Sequence, residues 1–373
     1  MSITYIPPRV PSVEGFLKED GTVPLTGVWN TGNYNIKGPS AIYTSSTAPS
    51  APYTNMLWND TSIASRQMIK KWNGSAWVAV AGYEATSRTI YLVHDHGALI
   101  TGAIFDSVFK LDIGRIGFSG VTVDIENKTY KTFAAGAAVD AGGGLVKLPI
   151  ASGHRFLAGE RVCIDGTVNY DAVFVIDSVE ETYIIIPATY VAETIPADAV
   201  IRVVIEGVST ISGYVTPLII QAHGWASGRT QKQKVVFFSN TTAPALNIRG
   251  LTNESYVRGI KLVSEIRAGS ASTSCATITY DSCSVLGNTI YPAFYGAYGG
   301  LIRITDCQIR KSHTAIYSYY GATMLSNNNE TISSVTYGLL ADQGGLIIKT
   351  SAQQPTGSTA NENAITSRGG RII

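Results

Sequence analysis

Three segments of the chain decide the fold: GGLIRITDCQI (residues 299–309), GATMLSNNNETI (321–332) and GGLIIKTSAQ (344–353). Each begins with glycine, continues as a short run rich in apolar residues and ends in polar residues. A repeat with a period in the low twenties is typical of a parallel β-solenoid, in which each repeat forms one turn. The repeat aligns three columns of residues at spacings of 22 and 23: Leu301, Thr323 and Leu346; Phe294, Ile316 and Leu339; Tyr295, Tyr317 and Leu340.

The columns predict how these turns pack. One turn cannot bury its own apolar side, whereas stacked turns share a continuous inner ladder. We therefore predict a right-handed parallel β-helix over residues 208–373. The alternative is a β-sandwich in which the spacing is a coincidence.

Composition supports an all-β protein. Helical periodicity is nearly absent, and short alternating runs end at Gly, Asn, Asp or Ser. The 373 residues include 37 Gly and 20 Tyr, and charged residues make up 15% of the chain. Lys and Arg number 28 against 27 Asp and Glu, so we predict no nucleic-acid partner. The longest apolar runs fall short of the roughly 20 residues of a membrane span, so no membrane insertion is predicted. The four cysteines lack the spacing of a zinc site, and we expect free thiols.

The chain divides into five predicted regions. The Asn73-Gly74 pair between two Trp-bearing runs predicts a β-hairpin in the second. The five regions are a Pro-rich extended arm (1–12), N-terminal β modules (13–82), a β-rich connecting neck (83–144), a small inserted β-barrel (145–207) and the β-helix (208–373).

Three motifs resemble modules of bacteriophage tail fibres and tailspikes. They are FLKEDGTVPLTGVWNTGNYNIKG (16–38), the pair APYTNMLWNDTS and IKKWNGSAWVAV (51–62 and 69–80), and AGERVCIDGTVNYDAVFVIDSV (158–179). The resemblance covers roughly 100 residues and implies an elongated homotrimer that is made in the host cytoplasm and carried in the virion. The resemblance implies that the arm at 1–12 attaches to a tail or baseplate protein of the virion and that residues 13–82 are trimeric fibre modules. The β-helix would meet the bacterial surface.

Tryptophans in the N-terminal regions agree with a trimer. Trp29, Trp58, Trp72 and Trp77 fall within about fifty residues that offer few other large apolar side chains. Such rings are more easily buried between chains than within one thin segment. We predict that these four residues are trimer contacts.

The His94-Asp95-His96 motif is a candidate metal site. Histidines at positions i and i+2 of a strand point to the same face. On a threefold axis they would present six imidazoles to a transition metal, and the resemblance to phage fibres implies iron or zinc there. No other cofactor is predicted. The alternative is a solvent-facing pair at a strand end.

Asp281, Asp306 and Glu330 are the candidate catalytic carboxylates. They follow each other at 25 and 24 residues, about one turn. Because turns rise by about 4.8 Å, stacked carboxylates would approach the separation that a retaining glycosidase uses. The alternative is that each is an exposed turn residue.

Tyrosines crowd the last turns. Of these, Tyr298, Tyr319 and Tyr320 are the candidates for contact with glycan, because exposed aromatic rings stack on the C–H faces of sugars. The alternative is that about half of the aromatic residues here are interior, and Phe294 is the clearest interior candidate.

Together these features predict a phage virion protein, a trimeric tail fibre or tailspike that binds bacterial surface polysaccharide. One alternative is a tailspike enzyme that cleaves polysaccharide by hydrolysis or elimination. A second is a non-enzymatic adaptor that connects the virion to another fibre.

Overall fold

β-strands dominate the protein. The computed structural model describes residues 43–52, 56–63, 66–84, 89–96, 121–207, 210–212, 217–230, 232–251, 253–275 and 277–373. Across these ranges the only helix is a short 3-10 turn at Thr366–Arg368. None of the described residues forms a helix with the length and apolarity to cross a membrane.

The N-terminal strands form a sheet that continues into the solenoid. After β1, strands β2 to β5 pair in sequence order as an antiparallel meander. The predicted hairpin is present: Trp72 lies opposite Trp77, and the side-chain oxygen of Asn73 accepts the backbone N–H groups of Ser75 and Ala76. The strands are β1 (Tyr43–Ser45), β2 (Leu57–Ile63), β3 (Arg66–Trp72), β4 (Trp77–Glu84) and β5 (Thr89–His94).

Three of the four tryptophans predicted as trimer contacts pack against each other within the chain. The ring of Trp77 lies 5.4 Å from that of Trp58 and 5.5 Å from that of Trp72, both edge to face. Trp58 is buried, and its indole N–H donates to the carbonyl of Ser45. Trp58 is therefore buried without a second chain, and contact of these tryptophans with other chains of a trimer stays a prediction. Trp29 lies outside the described residues.

Residues 128–204 form an insertion between two strands of the solenoid, β6 (Val121–Asn127) and β17 (Ile205–Glu206). Its strands build two four-stranded antiparallel sheets and a two-stranded one around a single apolar core. The strands are β7 (Lys131–Thr132), β8 (Gly136–Ala137), β9 (Val139–Gly142), β10 (Leu145–Pro149), β11 (Arg161–Asp165), β12 (Val173–Val175), β13 (Ser178–Glu180), β14 (Tyr183–Pro187), β15 (Thr194–Ile195) and β16 (Val200–Val203).

The remaining strands stack in parallel to form a solenoid of about six turns. We call its faces first, second and third in chain order. The first face contains β5, β6 and seven later strands, and the other two faces share one long sheet. The later first-face strands are β19 (Leu218–Ala222), β22 (Glu254–Arg258), β25 (Thr277–Asp281), β28 (Leu301–Thr305), β30 (Thr323–Asn327), β32 (Leu346–Lys349) and β34 (Arg371–Ile372).

Two long strands turn from the second face to the third: β29 (Gln308–Ser318) and β31 (Glu330–Ala341). Before them the two faces have separate strands. The second face has β17, β20 (Val235–Ser239), β23 (Ile260–Ser264) and β26 (Ser284–Leu286). The third face has β18 (Thr210–Ser212), β21 (Leu246–Arg249), β24 (Ser270–Thr273), β27 (Phe294–Ala297) and, after the long strands, β33 (Ala360–Ala364).

The predicted ladder is confirmed residue by residue. Leu301 pairs with Thr323 and Thr323 with Leu346. The columns that begin at Phe294 and Tyr295 pair in the predicted register. Parallel pairing at this spacing excludes the β-sandwich alternative, while the handedness remains a prediction.

Phe294 lies inside the solenoid, as predicted, and is 1% exposed. Its ring packs 5.2 Å from that of Tyr280, whose hydroxyl contacts the hydroxyls of Ser270 and Ser272. All four cysteines are buried and unpaired.

The ladder begins earlier in the chain than residue 208, where the β-helix was predicted to start. Val121 in β6 pairs in parallel with Leu218 in β19, and Thr89 in β5 pairs with Thr122. In the sequence the insertion lies between β6 and β17. In the fold β6 on the first face and β17 on the second face belong to the same turn.

Candidate functional site

Two of the tyrosines predicted to bind glycan meet at one corner of successive solenoid turns. The rings of Tyr298 and Tyr320 stack with centroids 5.3 Å apart and planes inclined by only 18°. Tyr298 is 60% exposed and Tyr320 is 44% exposed. The corner therefore presents a stacked aromatic pair to solvent.

Three more tyrosines extend this pair along the third face. Tyr319 lies 4.0 Å from Tyr320, Tyr317 lies 5.4 Å from Tyr319, and Tyr295 lies 5.6 Å from Tyr317, measured between ring centroids. We call Tyr295, Tyr298, Tyr317, Tyr319 and Tyr320 the tyrosine cluster. All three candidates from the sequence belong to it.

Three hydroxyls of the cluster have pKa values above the usual range of tyrosine. A hydrogen bond with Tyr320 is the main cause that raises the pKa of Tyr319 to about 12. Burial raises the pKa of Tyr295, and burial together with the nearby Asp342 raises that of Tyr317. Neutral phenols can both donate to and accept from sugar hydroxyls.

The backbone holds the exposed pair in place. Tyr298 and Tyr320 have φ angles of 58° and 44°, a left-handed conformation that costs a non-glycine residue about 1 kcal/mol or more. Ser274 and Gln343 have the same conformation one turn before and one turn after, so it belongs to this corner of the solenoid. The N–H of Tyr319 donates to the carbonyl of Gly296 on the previous turn. The rings therefore project from a ladder with fixed spacing.

The three candidate carboxylates do not share one ladder position. Asp281 lies opposite Thr305, so Asp306 is one position further along the chain. Glu330 begins a strand of the second face, and its carboxylate lies 2.9 Å from the guanidinium of Arg229. The predicted stack of carboxylates one turn apart is therefore wrong, and any catalytic role for these residues stays a prediction.

The two histidines of the predicted metal site are buried within the chain. His94 is 0% exposed and His96 is 6% exposed. Burial, with a smaller contribution from His96, lowers the pKa of His94 to about 3. Nδ1 of His96 lies 2.9 Å from the carboxylate of Glu160 in the insertion, and its ring packs edge-on against Phe156.

This placement does not fit a metal cage on a threefold axis, which needs imidazoles that face neighbouring chains. The insertion covers these histidines, which the sequence alone did not reveal. The part of the chain that the structure describes contains no group of three or more metal-ligating side chains.

A buried ion cluster joins the insertion to the solenoid. Asp165 and Arg202 come from the insertion and Lys261 from β23, and all three are fully buried. The carboxylate of Asp165 lies 2.5 Å from the guanidinium of Arg202 and also contacts the ammonium of Lys261. Burial alone would raise the pKa of Asp165, but Lys261 and Arg202 outweigh it and lower that pKa. Sequence reasoning missed this cluster because its members are up to 96 positions apart.

Apolar contacts surround the ion cluster. Cys163 and Val204 of the insertion pack against Val236, Phe238 and Val263 on the outer side of the second face. At the edge of this contact, Arg310 forms an ion pair of 2.6 Å with Asp171. The insertion is thus fixed to the second face, whereas the tyrosine cluster lies on the third.

Sequence reasoning also missed a histidine–carboxylate pair on the first face. Nδ1 of His223 lies 2.5 Å from the carboxylate of Asp124, which is 6% exposed. The two residues are 99 positions apart, and only the parallel pairing of β6 with β19 brings them together.

Comparison with known proteins finds distant structural similarity to two phage tailspikes. No family model matches the chain, and no curated protein matches its sequence. The tailspike protein gp49 from Pseudomonas phage LKA1 matches 65% of this chain at 14% identity and a TM-score of 0.23, over 48% of its own length. The tailspike gp61 from Pseudomonas phage phi297 matches 64% of this chain at 12% identity and a TM-score of 0.18, over 55% of its own length.

The structural similarity is distant. The chain spans about half the length of each of these two tailspikes. Because the TM-scores are low, the similarity carries no argument about activity, substrate or partner.

Proposed function

We propose that this chain is a structural protein of a phage virion, a trimeric tail fibre or short tailspike whose solenoid attaches to bacterial surface glycan. The tyrosine cluster is the observation that carries the binding proposal. The virion assignment rests on the fibre-like motifs at residues 16–38, 51–62, 69–80 and 158–179.

The chemistry of the tyrosine cluster suits a sugar. A pyranose ring has an apolar C–H face and a polar rim, and exposed tyrosines supply an aromatic surface together with hydroxyl groups. Because the cluster spans two successive turns, it offers binding surface over about 5 Å along the solenoid axis. An extended polysaccharide chain can place more than one sugar along such a surface.

We expect the purified chain to be a trimer. The support is the resemblance of its N-terminal motifs to fibre modules, which form three-chain rods. Light scattering at micromolar concentration should give three times the 39.7 kDa mass of one chain. A monomer under these conditions would contradict the trimer.

We expect soluble protein to block phage attachment to the bacterium that the phage infects. Cells preincubated with the protein should adsorb fewer virions, because the glycan is already occupied. The control is bovine serum albumin at the same concentration. Adsorption that is unchanged at saturating protein would contradict the receptor-binding role.

A second measurement separates binding from cleavage. We expect the chain length of host polysaccharide, measured by size-exclusion chromatography, to stay constant during incubation with the protein. Shortened chains would instead support the enzyme alternative.

A further inference from the structure

The positively charged guanidinium of Arg258 forms no ion pair with a carboxylate in the described part of the chain. Its guanidinium lies 4.3 Å from the ring centroid of Tyr256 and 5.3 Å from that of Trp225. Its Nε is buried without a hydrogen-bond partner. Arg303 on the same face differs, because it forms an ion pair of 2.6 Å with Glu254.

The acidic residues nearest to Arg258 in the ladder are engaged elsewhere. Asp281 is its ladder neighbour on the next turn, but its carboxylate accepts the hydroxyl of Ser282 at 2.8 Å. Asp124 lies two strands away in the other direction, beyond Gln221. Its two oxygens contact Gln221 at 3.1 Å and His223 at 2.5 Å. Neither carboxylate forms an ion pair with Arg258 among the described residues, and Glu254 on the same strand pairs with Arg303.

The aromatic residues around Arg258 are held by the fold. Tyr256 and Arg258 alternate with the buried Val257, so both side chains lie on the outer side of the first face. Trp225 packs over Gly259, where an added Cβ would lie 2.9 Å from the Cβ of Trp225. Only glycine leaves room for this indole. The guanidinium is therefore oriented between two rings before any ligand arrives.

Arg258 as a residue is partly exposed although its Nε is covered, so its guanidinium would meet a ligand through the outer nitrogens. The planar guanidinium matches a carboxylate, which can accept two parallel hydrogen bonds. Flanking aromatic rings exclude water and strengthen this interaction. The exposed imidazole of His223 belongs to the same part of the first face and adds a second polar group.

We propose that Arg258, held between Trp225 and Tyr256, binds the carboxylate of an acidic sugar of the uronic-acid class. This inference rests on the proposed function, because it names the type of polysaccharide that the solenoid recognises. It adds a charged subsite on the first face to the uncharged tyrosine cluster on the third.

The test compares acidic polysaccharides with their neutral counterparts. The full chain is titrated with polygalacturonate, alginate and hyaluronan, and with the same polymers after reduction of their carboxyl groups. At least one acidic polymer should bind about tenfold or more tightly than its reduced form, as expected for one charge-assisted hydrogen-bonded pair. Equal affinity for the acidic and reduced forms of all three, or no binding to any, would overturn the proposal.

Substitutions at Arg258 test whether this residue causes the preference for the acidic polymer. Arg258→Gln should lose about tenfold or more in affinity for the acidic polymer and leave affinity for the reduced polymer unchanged. Arg258→Lys should recover only part of the loss, because an ammonium lacks the planar fork. Arg371→Gln, at an exposed arginine of the first-face strand β34, is the matched control and should bind like the wild type. Thermal unfolding verifies that each variant is folded, and wild-type affinity in a folded Arg258→Gln variant would overturn the proposal.

Two further experiments distinguish a carboxylate ligand from a phosphate and the Arg258 subsite from the tyrosine cluster. Free glucuronate should compete with the acidic polymer at lower concentration than inorganic phosphate, and equal competition would overturn the assignment to a carboxylate.

In the Tyr298→Ala/Tyr320→Ala variant, preference for the acidic over the reduced polymer should persist. If this variant keeps full affinity, only the proposed role of the tyrosine cluster fails. If Arg258→Gln keeps the preference, only the present inference fails.

Discussion

Replacement of Asp165 with asparagine is expected to lower the free energy of unfolding by about 3–5 kcal/mol, because it leaves Arg202 and Lys261 buried without this carboxylate. All three side chains are fully buried where the insertion meets the solenoid. Denaturant unfolding followed by circular dichroism measures the change. The matched control is Glu180→Gln, which removes one partner of the partly exposed Lys147–Glu180 pair and should cost about 1 kcal/mol or less.

The pH dependence gives the same prediction a second readout. The folded chain lowers the pKa of Asp165, so the carboxylate contributes stability above pH 3.8, its ordinary pKa. This contribution is lost as pH falls from there through the folded-state pKa. The difference between wild type and Asp165→Asn should therefore be constant from pH 8 to pH 5 and shrink in stronger acid. A variant as stable as Glu180→Gln at neutral pH would contradict the ion cluster as a link between insertion and solenoid.

The Tyr298→Ala/Tyr320→Ala variant is expected to lose about tenfold or more in affinity for host glycan, because two stacked rings leave the binding surface. Stability should change little, since Tyr298 is 60% exposed and Tyr320 is 44% exposed. Affinity is measured by titration of purified host polysaccharide into the protein. Tyr190→Ala is the control, because Tyr190 is 40% exposed but lies in the insertion. Equal losses in the double variant and the control would contradict a specific role for the tyrosine cluster.

The sequence predicts the later solenoid turns well because nothing interrupts them. Between Phe294 and Leu346 each turn takes 22 or 23 residues, so periodicity alone gives the pairs that the structure shows. The exposed tyrosines are predictable for a related reason. Tyr298 and Tyr320 immediately precede the glycines that open the next repeats, which places them at a corner.

The earlier turns are hidden by the insertion. Val121 and Leu218 are ladder neighbours although 97 positions separate them, and a search for repeats of about 23 residues does not find such a pair. The same insertion explains the error at His94 and His96. Alternation along a strand predicts that they share a face, but which chain segment covers that face depends on Glu160 and Phe156, sixty or more positions later.

Ion pairs and buried polar contacts are the least predictable features. Asp165, Arg202 and Lys261 each look like an ordinary residue of a polar β-strand, and Asp124 and His223 lie on either side of the insertion. Their contacts depend on tertiary packing, for which the sequence pattern carries no periodic signal.

The most direct test of the central claim is a crystal structure of the protein soaked with an oligosaccharide from the surface polysaccharide of the host. We expect sugar density against Tyr298 and Tyr320, with sugar hydroxyls in hydrogen-bond distance of the tyrosine cluster. Density only elsewhere, for example in the groove lined by Lys349, Gln354 and Glu362, would contradict the proposed role of the cluster.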